Sequence, residues 1–260
     1  AYEITAVITD SLGNYSELTL DATLTIEQSK DPAYVEQTNI NASYGQTLED
    51  VKDQLLNNWS FKDALTTSVG NAGEHEFTVI YTPTNNNYQT VEKTINIIVA
   101  KIAPTFTVED LEHVYNGSKL EATISHNSDG ANFEYYYCLV GTTTQTDPIN
   151  VGTYDIYVSI SEGNNYTAVS DQKLDKQLVI NKYTLTNEKV QFVAIPNQEY
   201  TGSPIEPEIT VTLKDTTVKF DNTCYTVSYT DKTALGTATV TITGKDNFDG
   251  SATTVFVITQ

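Results

Sequence analysis

A chain of 260 residues that carries 14 lysines, no arginine and 34 Asp plus Glu has a formal charge of −20 and a pI near 4.3. That balance excludes an electrostatic grip on nucleic acid, which needs clustered cations to displace counterions, and it disfavours docking on anionic lipid heads. No apolar run approaches the ~20 residues of a membrane helix, so membrane insertion is not expected, and the length argues for two or more domains.

Residues 2–27 read as an alternating strand, a polar turn holding the pair Asn14-Tyr15, and a second alternating strand. From about Ser29 to Lys101 the chain offers Ser43-Tyr44-Gly45-Gln46, then Leu48, Val51 and Leu55 at helical spacing. Thr47 with Asp50 forms an acidic capping box, and Glu49 and Asp50 complement the helix dipole, so one short helix is predicted near 47–57. Its apolar stripe should close on a sheet beside Trp59. A hairpin follows, with Gly73 before it, Phe77, Val79 and Tyr81 on one face, and the turn pair Asn87-Tyr88.

From Ile102 to Lys182 the same order returns. Tyr115-Asn116-Gly117-Ser118 precedes the extended run Leu120–Ile124; after Phe133–Cys138, Gly152 leads into Tyr154, Ile156, Val158 and Ile160, and Asn165-Tyr166 marks the turn. From Tyr183 to Gln260 it returns again, as Tyr200-Thr201-Gly202-Ser203, the run Ile205–Leu213, Gly236, then Ala238, Val240 and Ile242, and Asn247-Phe248. The Asn-aromatic pairs stand 73, 78 and 82 residues apart, so the repeating unit is about 80 residues. Gly73, Gly152 and Gly236 suit a turn with positive φ into the first strand of each hairpin.

The predicted fold class is therefore mainly β: a tandem array of small antiparallel β domains, either β-grasp-like or Ig-like, at 29–101, 102–182 and 183–260. Residues 1–28 match only the C-terminal hairpin of a unit and are expected to be a partial repeat, either because the chain is a piece of a longer array or because the numbering begins inside its first domain. Junctions such as Val99–Pro104 and Val179–Tyr183 hold no Gly/Ser stretch, which predicts a semi-rigid rod in which neighbouring repeats touch.

Little in this pattern converges on chemistry. His75, His113 and His126 fall at non-equivalent places and are expected to be solvated or capping residues. No nucleophile elbow, zinc-protease or phosphate-loop motif occurs, and no enzyme activity is expected. No cofactor is expected; the one cation considered is calcium, for which Asp246, Asn247 and Asp249 offer oxygens in a turn, although Asn, Asp and Gly also suit an ordinary hairpin. Tyr135, Tyr136 and Tyr137 cannot all be buried in one strand, so at least one should face outward as a platform for glycan or protein contact, unless a neighbouring domain or the Tyr115 loop covers it. Cys138 and Cys224 form no disulfide framework or metal motif; free thiols and a bridge between repeats both remain open.

With these residues in view, the chain resembles bacterial cell-surface repeats of the MBG type, related to the β-grasp-like B2 modules of mucus-binding proteins. Tyr115-Asn116-Gly117-Ser118 and Tyr200-Thr201-Gly202-Ser203 look like the "YDG" variety; Tyr44-Gly45-Gln46 with Trp59 and Ser68–Gly73 looks like the "YGX" variety. The resemblance implies a non-catalytic extracellular region of a secreted or wall-anchored bacterial protein, acting as a stalk or adhesive surface. Its partners would be host or matrix glycans and glycoproteins, beside neighbouring repeats of the same chain. The rival reading is a carbohydrate-binding module array attached to a polysaccharide-degrading enzyme.

Overall fold

The computed structural model describes residues 2–260 and divides into two compact units, Ala1–Ile102 and Ala103–Gln260. The first unit opens with an antiparallel hairpin of β1 (Tyr2–Ile8) and β2 (Leu18–Leu24), in register from Tyr2↔Leu24 to Ile8↔Leu18. Alternation sorts its two faces: Tyr2, Ile4, Ala6, Ile8, Leu18, Leu20, Ala22 and Leu24 share one, while Glu3, Thr5, Thr19, Asp21 and Thr23 share the other with Val7. Both faces are exposed.

The rest of this unit is a four-stranded sheet in the order β3-β6-β5-β4, made from β3 (Ile40–Ser43), β4 (Trp59–Phe61), β5 (Gly73–Tyr81) and β6 (Val91–Ala100). The hairpin β5–β6 lies at its centre, β4 adds antiparallel to β5, and β3 adds parallel to the far end of β6. Ile40, Val79, Ile95, Ile97 and Val99 close the core together with Trp59, Phe61 and Val69.

The helix is shorter than the spacing predicts. Helix α1 covers Leu48–Val51, followed by a 3₁₀ turn at Lys52–Gln54. The capping residues behave as expected, Thr47 N–H and Oγ1 both donating to Asp50 Oδ2 at 2.7 and 2.9 Å. Leu48 and Val51 are buried and Leu55 packs against the core. What stops the helix is the sheet: Leu55 is already extended, and Asn58 adopts a left-handed conformation (φ 68°) that turns the chain into β4. Trp59 is buried as expected, its indole N–H donating to the Val35 carbonyl at 3.0 Å.

The second unit repeats this plan twice. Its first sheet, β10-β11-β12-β8, uses β8 (Glu112–Val114), β10 (Phe133–Leu139), β11 (Gly152–Ile160) and β12 (Val169–Asn181), with a second layer of β7 (Phe106–Glu109) paired to β9 (Thr123–His126). Again the hairpin is central and the strand from the start of the module, β8, runs parallel to the end of β12. The last module contains β13 (Tyr183–Leu185), β14 (Val190–Phe192), β15 (Gln198–Glu199), β16 (Val211–Leu213), β17 (Tyr225–Thr230), β18 (Gly236–Gly244) and β19 (Phe248–Thr259). β17 and β18 pair antiparallel, as do β18 and β19; β13 and β15 line the other edge of β19 in parallel, and β14–β16 forms the second layer. Two layers without a covering helix make these modules small sandwiches.

The glycines before the hairpins do not all act alike. Gly73 and Gly236 have φ of 135° and 123°, as expected of a turn only glycine accepts comfortably. Gly152 is the exception: its φ is not in that region, and a Cβ there would meet only the mobile end of the exposed Leu139 side chain, 2.8 Å from Cδ1, which can move aside.

Candidate functional site

The tyrosine strand β10 divides its rings between two faces. Tyr137 points into the core, 2% exposed, and its hydroxyl accepts the Ala122 amide N–H at 2.9 Å; desolvation pushes the phenol up to about 12. Tyr135 lies on the same side but at the rim, 38% exposed. Tyr136 faces the other way, onto the outer surface of the sheet. Its ring stacks on Tyr157 of β11, centroids 5.1 Å apart and 5° from parallel, and its hydroxyl donates to Asp171 at 3.2 Å. Desolvation, then the Asp171 carboxylate, raise the Tyr136 phenol above its usual range.

A polar cluster lies beside that pair on the same face. Cross-strand pairing places Cys138 opposite Asp155 and Asp155 opposite Gln177, and an irregularity in the β11–β12 register brings Lys173 to the same carboxylate. Asp155 is buried; Lys173 Nζ approaches its Oδ2 at 2.7 Å, and the Gln177 amide donates to its Oδ1 at 2.7 Å. The bonds from Lys173 and Gln177 hold the Asp155 carboxyl below its usual range, and the pairing raises Lys173. Both carboxylate oxygens of Asp155 are thus bonded to partners on β12.

In the first unit a second aromatic group was not visible in the sequence. Tyr34, Trp59 and Tyr81 gather with centroids 5.3–5.6 Å apart. Beside them Ala33, Tyr34, Val35, Leu56, Asn57, Asn58 and Tyr81 line an open pocket of about 580 Å³. Tyr34 lies outside any strand, so no periodicity marked it.

Asp246 and Asn247 lie in the turn between β18 and β19, and Asp249 at the start of β19. Asn247 Oδ1 accepts the Val151 amide N–H at 2.8 Å and its Nδ2 donates to Asn150 Oδ1 at 3.0 Å. Asp246 and Asp249 are exposed, Asp246 at φ 57°. Among the described residues, no group of three or more His, Cys, Asp or Glu is placed to hold a metal ion. Cys138 is buried, Cys224 partly so, and both are free thiols, raised chiefly by burial.

The histidines stay apart. His75 Nε2–H donates to Asn71 O at 2.6 Å and His113 Nε2–H to Glu121 O at 3.2 Å. His126 departs from the expectation of a solvated or capping role: it packs against Phe133 and Phe106, centroids 4.6 and 6.5 Å away, with Nδ1 buried and without a hydrogen-bond partner.

The repeat signature residues anchor the start of a module to its hairpin tip. Ser29 bridges Tyr88 in parallel, with Ser29 N–H donating to Asn87 O at 2.8 Å; Tyr183 pairs with Phe248 in the same sense, its N–H donating to Asn247 O at 3.1 Å. Asn165 is buried and Tyr166 half-buried at the corresponding turn.

The MBG domain family matches residues 104–184 and again 190–260. A comparison with curated proteins finds no match. Among solved structures, the protocadherin GammaB4 extracellular domain is similar at 10% identity and a TM-score of 0.28, covering 98% of this chain and 54% of its own. Protocadherin Gamma B2 extracellular cadherin domains 3–6 are similar at 10% identity and 0.27, covering 85% and 71%. The chain thus spans about half the length of the first of these structures. Two successive matches over more than half its residues give the identity: the chain belongs to the MBG domain family.

Proposed function

We propose that this chain is a non-catalytic extracellular repeat region of a secreted or wall-anchored bacterial protein, a semi-rigid spacer that also offers adhesive surface. The observation that carries the reading is the junction within the second unit. β12 ends at Asn181 and β13 begins at Tyr183, so a single residue, Lys182, separates the two modules, and side chains of one bond to the other across it. A flexible tether has neither feature. A net charge of −20 keeps such a surface dispersed.

The test is backbone ¹⁵N relaxation on the full chain. Amides of β7–β12 and of β13–β19 should share one rotational correlation time; independent tumbling about Lys182 would overturn the spacer reading. The second reading, carbohydrate-binding modules serving a polysaccharide-degrading enzyme, is favoured by the stacked Tyr136–Tyr157 pair beside Lys173 and Gln177. Saturable glycan binding by the full chain, lost in Tyr136→Ala, would put that reading first.

A further inference from the structure

The junction of the second unit is built from a small set of residues. The Tyr115 ring meets Phe248 edge-on, centroids 5.3 Å apart, and packs against the cores of both modules. Val151 and Asn150 hold the Asn247 side chain, and Lys219 N–H donates to Asn116 O at 3.3 Å. Gly117 is buried under Lys219, where a Cβ would stand 2.7 Å from the Lys219 Cβ. One module therefore supplies a socket of Tyr115, Gly117 and Val151; the other supplies an Asn-aromatic hairpin tip, Asn247-Phe248, against Tyr115 and Val151, and the Lys219 segment over Gly117.

The last module carries the same socket at the same structural positions. Tyr115 N–H donates to Asn181 O at 2.9 Å, at the end of β12, and Tyr200 N–H donates to Thr259 O at 2.9 Å, at the end of β19. Gly117 and Gly202 have φ of 78° and 75°. Val151 precedes Gly152 at the start of β11, as Leu235 precedes Gly236 at the start of β18. Here, however, the socket is open. Tyr200 is 47% exposed and Leu235 51% exposed, and a Cβ on Gly202 would have nothing within 4 Å.

We propose that Tyr200, Gly202 and Leu235 form a docking surface for the Asn-aromatic hairpin tip of a further MBG module joined head to tail, in the geometry that Tyr115, Gly117 and Val151 already show. The surface continues an interface present in the same molecule: the same backbone position, the same glycine conformation and an apolar ring left in water where its counterpart is covered. It rests on that junction and stands whether or not the array serves as a spacer.

The experiment extends the 260-residue chain by a second copy of residues 183–260 placed directly after Gln260, and follows amide hydrogen exchange and ring contacts by NMR. Val151, already bonded to Asn247, is the internal reference. The proposal expects the Leu235 amide to slow by about five- to tenfold on extension, the factor that one hydrogen bond of ordinary net strength gives. It also expects nuclear Overhauser contacts from the Tyr200 ring to the appended module's phenylalanine. Gly202→Asn, whose side chain tolerates positive φ, should leave the 260-residue chain folded and restore fast Leu235 exchange in the extended chain, with Val151 unchanged. Equal Leu235 exchange with and without the appended module overturns the proposal. So does slowing of Leu235 in the unextended chain that grows with protein concentration, which would seat a second copy there instead.

Discussion

Asn247 Oδ1 accepts the amide N–H of Val151 at 2.8 Å, a bond between residues 96 positions apart that joins two successive MBG modules. Because Asn247 Nδ2 also donates to Asn150, one amide side chain satisfies groups on a neighbouring domain with both its ends. Asn247→Ala leaves the Val151 N–H without this acceptor and should destabilise the chain by about 1–2 kcal/mol. Asn247→Asp keeps an acceptor for Val151 and loses the donor to Asn150, so it should cost less. Urea unfolding midpoints of the three proteins check the order; an alanine variant as stable as the parent would remove Asn247 from the junction.

Tyr115 acts on the same junction through packing. Its ring touches Phe248 and belongs to the partly buried rim of two core clusters. Tyr115→Ala should cost about 2–3 kcal/mol, below the range for a fully buried aromatic because the ring is only half covered. It should also uncouple the modules, so that one cooperative urea transition of the second unit becomes two with smaller slopes. A single transition of unchanged slope would show that the modules do not need this ring to unfold together.

These junction residues show how far the sequence could be read. Hairpins such as β5–β6 and β18–β19 are local: Phe77, Val79 and Tyr81, or Ala238, Val240 and Ile242, alternate within one strand, and period two is enough to find them. The strands that close each sheet leave no such mark. β15 is two residues long and pairs with Ile258 and Thr259, some 60 positions away, so only the fold defines it as a strand. Asn247 illustrates the harder case. An asparagine in a polar turn looks the same whether it ligates calcium, shapes a hairpin or reaches another domain, and only the partner's position separates them. The helix is shorter than its spacing predicts for a related reason. Leu48, Val51 and Leu55 keep helical spacing, but the need to bring Trp59 into register with Tyr81 ends the helix early.

His126 is a place where the fold tolerates an unmet polar group. With Nδ1 buried against Phe133 and Phe106 and no hydrogen-bond partner, the ring carries a desolvation cost that a hydrocarbon ring would not. His126→Phe should raise stability by about 1 kcal/mol, seen as a higher urea midpoint at unchanged slope. A loss of stability would mean that the imidazole makes an interaction a benzene ring cannot replace.

The two thiols should react in a fixed order. Cys138 is 2% exposed and Cys224 is partly exposed, and burial raises both thiols above their usual range, which lowers the reactive thiolate fraction at neutral pH. Cys224 should be alkylated first, and Cys138 only as fast as its strand opens. Mass spectrometry of a timed maleimide reaction with the native full chain checks this; equal rates would show that β10 is not held closed in solution.

Asp155 gives the stability of the second unit a pH dependence whose sign is fixed by its partners. Bonds from Lys173 and Gln177 hold its folded-state pKa below the usual 3.8, so the folded protein binds fewer protons than the unfolded chain near that pH. The stabilisation is complete above the ordinary carboxylate value and is lost as pH falls through the lower folded value. Lys173 works in the opposite sense. Its pKa is raised above the usual 10.5, so its contribution holds below that value and is lost as pH rises through the folded one. Between those limits the pair should contribute a constant amount. Urea midpoints measured from pH 7 down to pH 2 for the parent and Asp155→Asn should therefore differ by a fixed margin to about pH 4, then converge. A margin that persists to pH 2 would mean that Asp155 supports the sheet through its shape and hydrogen bonds rather than through its charge.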